Sequence, residues 1–98
     1  MTYDDLTLGS VYRMLSFSDK ISFTLVGMGY PDIFDLNHVL VFKVSGEDAA
    51  LACIRRIPAS KVVSRYPDIN YLDAFDVEDR VLVVGDYVLD QLTPVQRN

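Results

Sequence analysis

The sequence predicts an α+β fold, with a small, mainly antiparallel sheet of three to four strands and two or three short helices. Three observations point to it. Ile21, Phe23 and Leu25 alternate with Ser22 and Thr24, the period of a strand with one buried face. Two further runs, "HVLVFKV" at 38–44 and "RVLVV" at 80–84, are apolar and β-branched. Elsewhere apolar residues recur at helical spacing: Leu8, Val11, Tyr12 and Leu15 in one segment, and Ala50, Cys53, Ile54 and Ile57 in another.

In chain order, Thr7 precedes a short amphipathic helix over 8–15, which Gly9 and Ser10 weaken. Asp19 and the serines before it make a turn, and "KISFTLVG" follows as the first strand. Gly27, Gly29 and Pro31 read as loop punctuation, after which 38–44 pairs antiparallel with the first strand. Ser45 with Asp48 three residues on resembles a weak capping box, and Glu47 and Asp48 suit the first turn of a second helix that Pro58 ends. Lys61 to Arg65 fits a short strand or a helix end equally well. Residues 80–84 are the third strand, "YVLDQL" is a fourth strand or a final short helix, and a polar tail runs from about 93 to 98.

The chain has 98 residues, the length of one domain spanning 1–98, and half of them are hydrophobic, enough for one packed core. No apolar run approaches the roughly 20 residues of a membrane span. Acids at Asp4 and Asp5, where a secretory signal carries bases, point to an intracellular, cytoplasmic protein. Cys53 is the single cysteine, in an apolar run that reads as core. "YPDIFDL" at 30–36 returns as "YPDINYL" at 66–72, and "VLVF" at 39 as "VLVV" at 81, but the offsets are 36 and 42 residues. A tandem repeat keeps its period, so both copies read as one turn chemistry leading to a strand.

Net charge is −5 and unevenly spread. Residues 55–65, "RRIPASKVVSR", hold four bases and no acid, whereas 66–90 hold seven acids against Arg80 alone. An acidic domain with one short basic segment lacks the broad basic face of a nucleic-acid binder; the segment reads as the solvated side of a core element. The motifs of catalysis are missing. His38 is the only histidine, too few for a His-based zinc site or a Cys–His pair. "GMGYPD" matches neither a dinucleotide fingerprint nor a phosphate loop, and no Gly-x-Ser-x-Gly elbow exists. No enzyme activity, cofactor or resident metal is expected.

The one dense cluster is "DINYLDAFDVED" at 68–79. Its spacing fails the Ca²⁺ loop pattern, since Leu72 and Asp73 occupy the fifth and sixth places. The same carboxylates remain the basis of an alternative reading as a divalent-metal-binding domain or hydrolase. The main reading is a recognition face in which Asp68, Asp73, Asp76, Glu78 and Asp79 present negative charge beside Tyr66, Tyr71 and Phe75, suited to docking on a basic protein surface. A solvated acidic loop capping the core is the plainer account, and a self-associating module with a homodimer is the third class.

The opening "LTLGSVYRMLSFSDKISFTLVG" resembles the start of many short proteins encoded by bacteriophages and other mobile elements. Compact, acidic single domains without catalytic motifs are also similar in form to phage inhibitors of bacterial defence, anti-CRISPR proteins among them. That resemblance implies an accessory protein that occupies the basic nucleic-acid channel of a host nuclease, with a protein partner, no direct nucleic acid and no membrane. A charge of −5 favours a local face over whole-surface DNA mimicry.

Overall fold

A computed structural model of the chain describes residues 1–31, 37–46 and 54–95. Within them, seven strands form one antiparallel sheet. They are β1 (Val11–Met14), β2 (Ile21–Gly29), β3 (Val39–Gly46), β4 (Ile57–Pro58), β5 (Asn70–Tyr71), β6 (Arg80–Gly85) and β7 (Leu92–Pro94). Their order in space is β4-β6-β3-β2-β1-β7, and β5 joins β2. Beside them stand one α-helix, α1 (Ala59–Arg65), and two 3₁₀ turns, Tyr3–Asp5 and Asp86–Gln91. The expected sheet of three to four strands with two or three helices is therefore incorrect: the domain is mostly sheet. Four strands of two to four residues are too short to show alternation in sequence, and pairing partners elsewhere in the chain hold them extended.

The N-terminal helix expected over 8–15 is instead a turn followed by β1. Tyr12 and Met14 point inward with Arg13 outward, and Tyr12 is paired on both sides, to Phe23 of β2 and Pro94 of β7. Leu15, assigned to the helical apolar face, is 77% exposed. Of the second expected helix, residues 47–53, Cys53 included, lie outside the described residues. Its ends are extended: Ser45 and Gly46 finish β3, while Ile57 and Pro58 form β4. Pro58 begins a helix rather than ending one, because its fixed φ and missing N–H suit the position before the first turn. Lys61 to Arg65 are helical, and "YVLDQL" is a 3₁₀ turn leading into β7. Thr93 and Pro94 pair with Arg13 and Tyr12; residues 96–98 lie outside the described residues.

β2 is the spine. Residues Ile21 to Leu25 pair with Phe42 to Gly46, and after a bulge between Leu25 and Gly27 the pairing resumes with Val41. The extra residue reverses the alternation, so Val26 and Gly27 face one side while Met28 returns to the side of Leu25. Gly27 and Gly29, read from sequence as loop residues, thus lie inside the strand. One edge of β2 is shared: β1 takes Phe23 and Thr24, and β5 takes Gly27 and Met28. At the other end Gly46, with φ of +126°, turns its backbone against the Lys20 carbonyl, where any Cβ would collide.

Each face of the sheet carries a core. On the first, Tyr12, Met14, Ile21, Phe23, Leu25, Leu40, Phe42 and Val44 pack together under Leu6, Val88 and Leu92. Phe23 and Phe42 meet edge-on at 6.1 Å. The 3₁₀ turn Asp86–Gln91 crosses this face to connect β6 with β7, strands that lie on opposite sides of β3, β2 and β1. On the second face Val26, Val39, Val41 and Val81 are covered by Ala59 and Val62 of α1 and by Ile69. No helix among the described residues is long and apolar enough to cross a membrane.

Candidate functional site

The segment 66–79 is a cover laid over the second core. Ile69 is its buried anchor, and Asn70 and Tyr71 hydrogen-bond into the sheet as β5. The Leu72 N–H donates to Val26 O at 2.9 Å, within the bulge. Turns follow: Phe75 N–H donates to Leu72 O at 2.9 Å, and Glu78 N–H donates to the Asp76 carboxylate at 2.9 Å. The carbonyls of Val77 and Asp79 then accept the Ser60 and Ala59 N–H groups at 2.9 and 2.7 Å. These are orphan donors of the first turn of α1, so the acidic segment caps the basic helix through backbone rather than side chain.

The aromatic residues expected as contact anchors turn toward the protein. The Tyr71 hydroxyl donates to Tyr66 O at 2.8 Å, with Val62 O at 3.3 Å as a second acceptor, which ties β5 to the last turn of α1. Its ring stacks on Phe75 at 5.2 Å. Burial, and then the neighbouring Tyr66, raise the Tyr71 pKa above that of an ordinary phenol. Tyr66, Tyr71 and Phe75 are all half-buried against the valine core. The acids behave differently: Asp68, Asp73, Asp76 and Glu78 are exposed, and among the described residues none forms an ion pair. Asp79 is held by Lys43 at 3.2 Å. The structure therefore brings the eight expected residues into one segment but divides them, with carboxylates outside and rings beneath. The exposed bases Lys61 and Arg65 stand on the adjoining helix, and Arg65 lies over the Tyr66 ring at 5.4 Å.

Two further features were not apparent from the sequence. His38 stacks on Tyr3 with centroids 3.6 Å apart and faces Tyr30 at 4.0 Å, while its Nδ1 lies 3.5 Å from Asp86 Oδ2. These residues come from four separate segments, so no spacing announces them. An open cleft of about 430 Å³ also lies beside β1 and β7, bordered by Asp5, Thr7, Ser10, Val11 and Pro94. The Asp5 carboxylate accepts both the N–H and the hydroxyl of Thr2, which hold it below the usual carboxylate range. Among the described residues no three of His, Cys, Asp and Glu converge in a metal-binding arrangement. Comparison with known protein families, curated proteins and solved structures found no match to this chain.

Proposed function

We propose that the domain is a non-enzymatic protein-binding module that docks on a basic surface of its partner through the carboxylate rim Asp68, Asp73, Asp76 and Glu78. One observation supports this reading above the others: the four carboxylates are exposed and outside ion pairs among the described residues, on a segment whose backbone is fixed to the sheet and to α1. Charges held in place in this way lose little entropy on docking and steer encounter with a positive surface. The aromatic rings act beneath the rim, fixing its position. The partner class is a protein with a basic groove, such as the nucleic-acid channel of a host nuclease, and the role is that of a mobile-element inhibitor of the anti-CRISPR type.

Self-association through the sheet is the competing reading. The end strands of the described sheet carry Pro58 and Pro94, which remove donors from both edges and blunt strand addition. The test is capture from host lysate by the native chain and by a variant carrying Asp68→Asn, Asp73→Asn, Asp76→Asn and Glu78→Gln. A nucleic-acid-processing protein retained by the native chain and lost with the variant supports the proposal; equal retention overturns it.

A further inference from the structure

At one end of the sheet the pairing sets Gly29, Val39 and Gly85 side by side. The next residues, Tyr30, His38 and Asp86, therefore meet just beyond the strands, and Tyr3 closes over them from the N-terminal turn. The His38 imidazole lies between the rings of Tyr3 and Tyr30 and beside the Asp86 carboxylate, so it serves as packing for the tyrosines. The outer rings remain open to solvent, with Tyr30 48% and Tyr87 71% exposed. Tyr87 belongs to the same strand end from the other side, its ring 3.1 Å from where a Cβ on Gly85 would stand.

Charge distinguishes this end from the rest of the molecule. The described stretches 1–12, 28–31, 37–42 and 82–95, which build it and the elements beside it, carry Asp4, Asp5, Asp86 and Asp90 and no lysine or arginine. The rim at 68–78 runs from this end, where Ile69 packs on Gly29, to the bases of α1. Burial, then Tyr30 and Asp4, raise the Tyr3 pKa, so this phenol stays protonated and the negative potential comes from the carboxylates.

We propose that this sheet end is a second docking surface, which takes an arginine-bearing cationic segment of a protein. Exposed tyrosine faces beside carboxylates match a guanidinium, whose plane stacks on the ring while its N–H fork pairs with the acid. A lysine ammonium offers charge without the planar stack. Tyrosine also contributes contact area at small rotamer cost.

The experiment is fluorescence anisotropy with labelled arginine-rich and lysine-rich peptides of equal length and charge, at physiological ionic strength. The arginine peptide should bind more tightly. Tyr30→Ala and Tyr87→Ala should each weaken it roughly tenfold, with Tyr87→Phe retaining affinity. Neutralising Asp73, Asp76 and Glu78, with Asp68 left in place because its neighbour Ile69 packs on Gly29 next to Tyr30, should weaken binding less than either alanine substitution. Absence of binding, equal binding of the two peptides, indifference to both alanine substitutions, or loss only with the rim variant would each overturn the proposal. Tyr87 is 71% exposed, so Tyr87→Ala should melt like the native chain and keeps the test decisive. Tyr30 also packs on His38, so its alanine variant is compared at a matched melt, and Tyr87→Phe controls for the ring itself. Lysate capture through the rim is read with different variants, so the two proposals fail separately.

Discussion

Tyr71 lies directly across the β2–β5 pair from Gly27, and a Cβ on Gly27 would stand 2.8 Å from the Tyr71 ring and 3.3 Å from Val41 Cβ. The ring occupies the space a side chain would need, so the bulge in β2, the missing side chain and the aromatic residue of β5 form one packing unit. Gly27→Ala should force the ring off its seat and lower stability by about 1–3 kcal/mol, the usual cost of overpacking. A denaturant titration checks this, and for a domain of this size Tm should fall by at least roughly 4 °C.

The hydroxyl of the same tyrosine makes a separate contribution. Tyr71→Phe keeps the ring over Gly27 and its stack on Phe75 but leaves Tyr66 O and Val62 O without this donor. The expected loss is about 1 kcal/mol, the usual net worth of a neutral hydrogen bond, since Val62 O still accepts the Tyr66 N–H. The folded pKa of Tyr71 is raised above its unfolded value of 10.0, as is that of Tyr3. Their contribution to stability is thus fully present below the unfolded value and declines as pH rises through the folded values. Thermal melts across the alkaline range should show that decline, and it should be shallower in Tyr71→Phe.

The carboxylate rim should be nearly dispensable for folding. Replacing Asp68, Asp73, Asp76 and Glu78 by their amides removes mutual repulsion, and Asp76→Asn keeps a side-chain oxygen to accept the backbone N–H of position 78. The change in unfolding free energy should stay within about 0.5 kcal/mol, as for surface sites away from structural features. A circular dichroism melt reads this. A large loss would mean that the acids build the segment rather than serve contact.

Asp5 should titrate visibly. Its folded pKa lies below the unfolded value of 3.8 because Thr2 donates twice to the carboxylate. The stabilisation of the N-terminal turn is therefore present above the unfolded pKa and disappears as pH falls through the folded one. NMR titration of the carboxyl carbon should show a midpoint below the ordinary aspartate range, moving upward in Thr2→Ala as the hydroxyl donor is lost.

The sequence made β2, β3 and β6 legible, because long β-branched or alternating runs report burial directly. The antiparallel pairing of β2 with β3 was legible for the same reason. Around β1 the local pattern misleads on physical grounds. Leu8, Val11, Tyr12 and Leu15 satisfy a helical period, while Tyr12 and Met14 satisfy that of a strand, and only the pairing with Phe23 and Pro94 decides between them. The bulge at Val26 left no local signature, so Gly27 and Gly29 read as loop. The candidate rim was visible as composition, but composition could not tell that Tyr71 and Phe75 point inward while Asp73 and Asp76 point out. That division follows from a hydrogen bond and a glycine more than forty positions upstream of Tyr71. The His38 cluster draws on four segments, which no local pattern connects.

The central claim is that the exposed carboxylates at 68–78 are the contact surface for a basic protein. Its most direct test is the dissociation constant of the captured partner for the native chain and for the four-amide variant, measured over a range of salt concentrations. The account predicts binding at least about tenfold weaker for the variant at low ionic strength, with the gap closing as salt rises. Equal constants at every salt concentration, or no protein captured by the native chain, would contradict it.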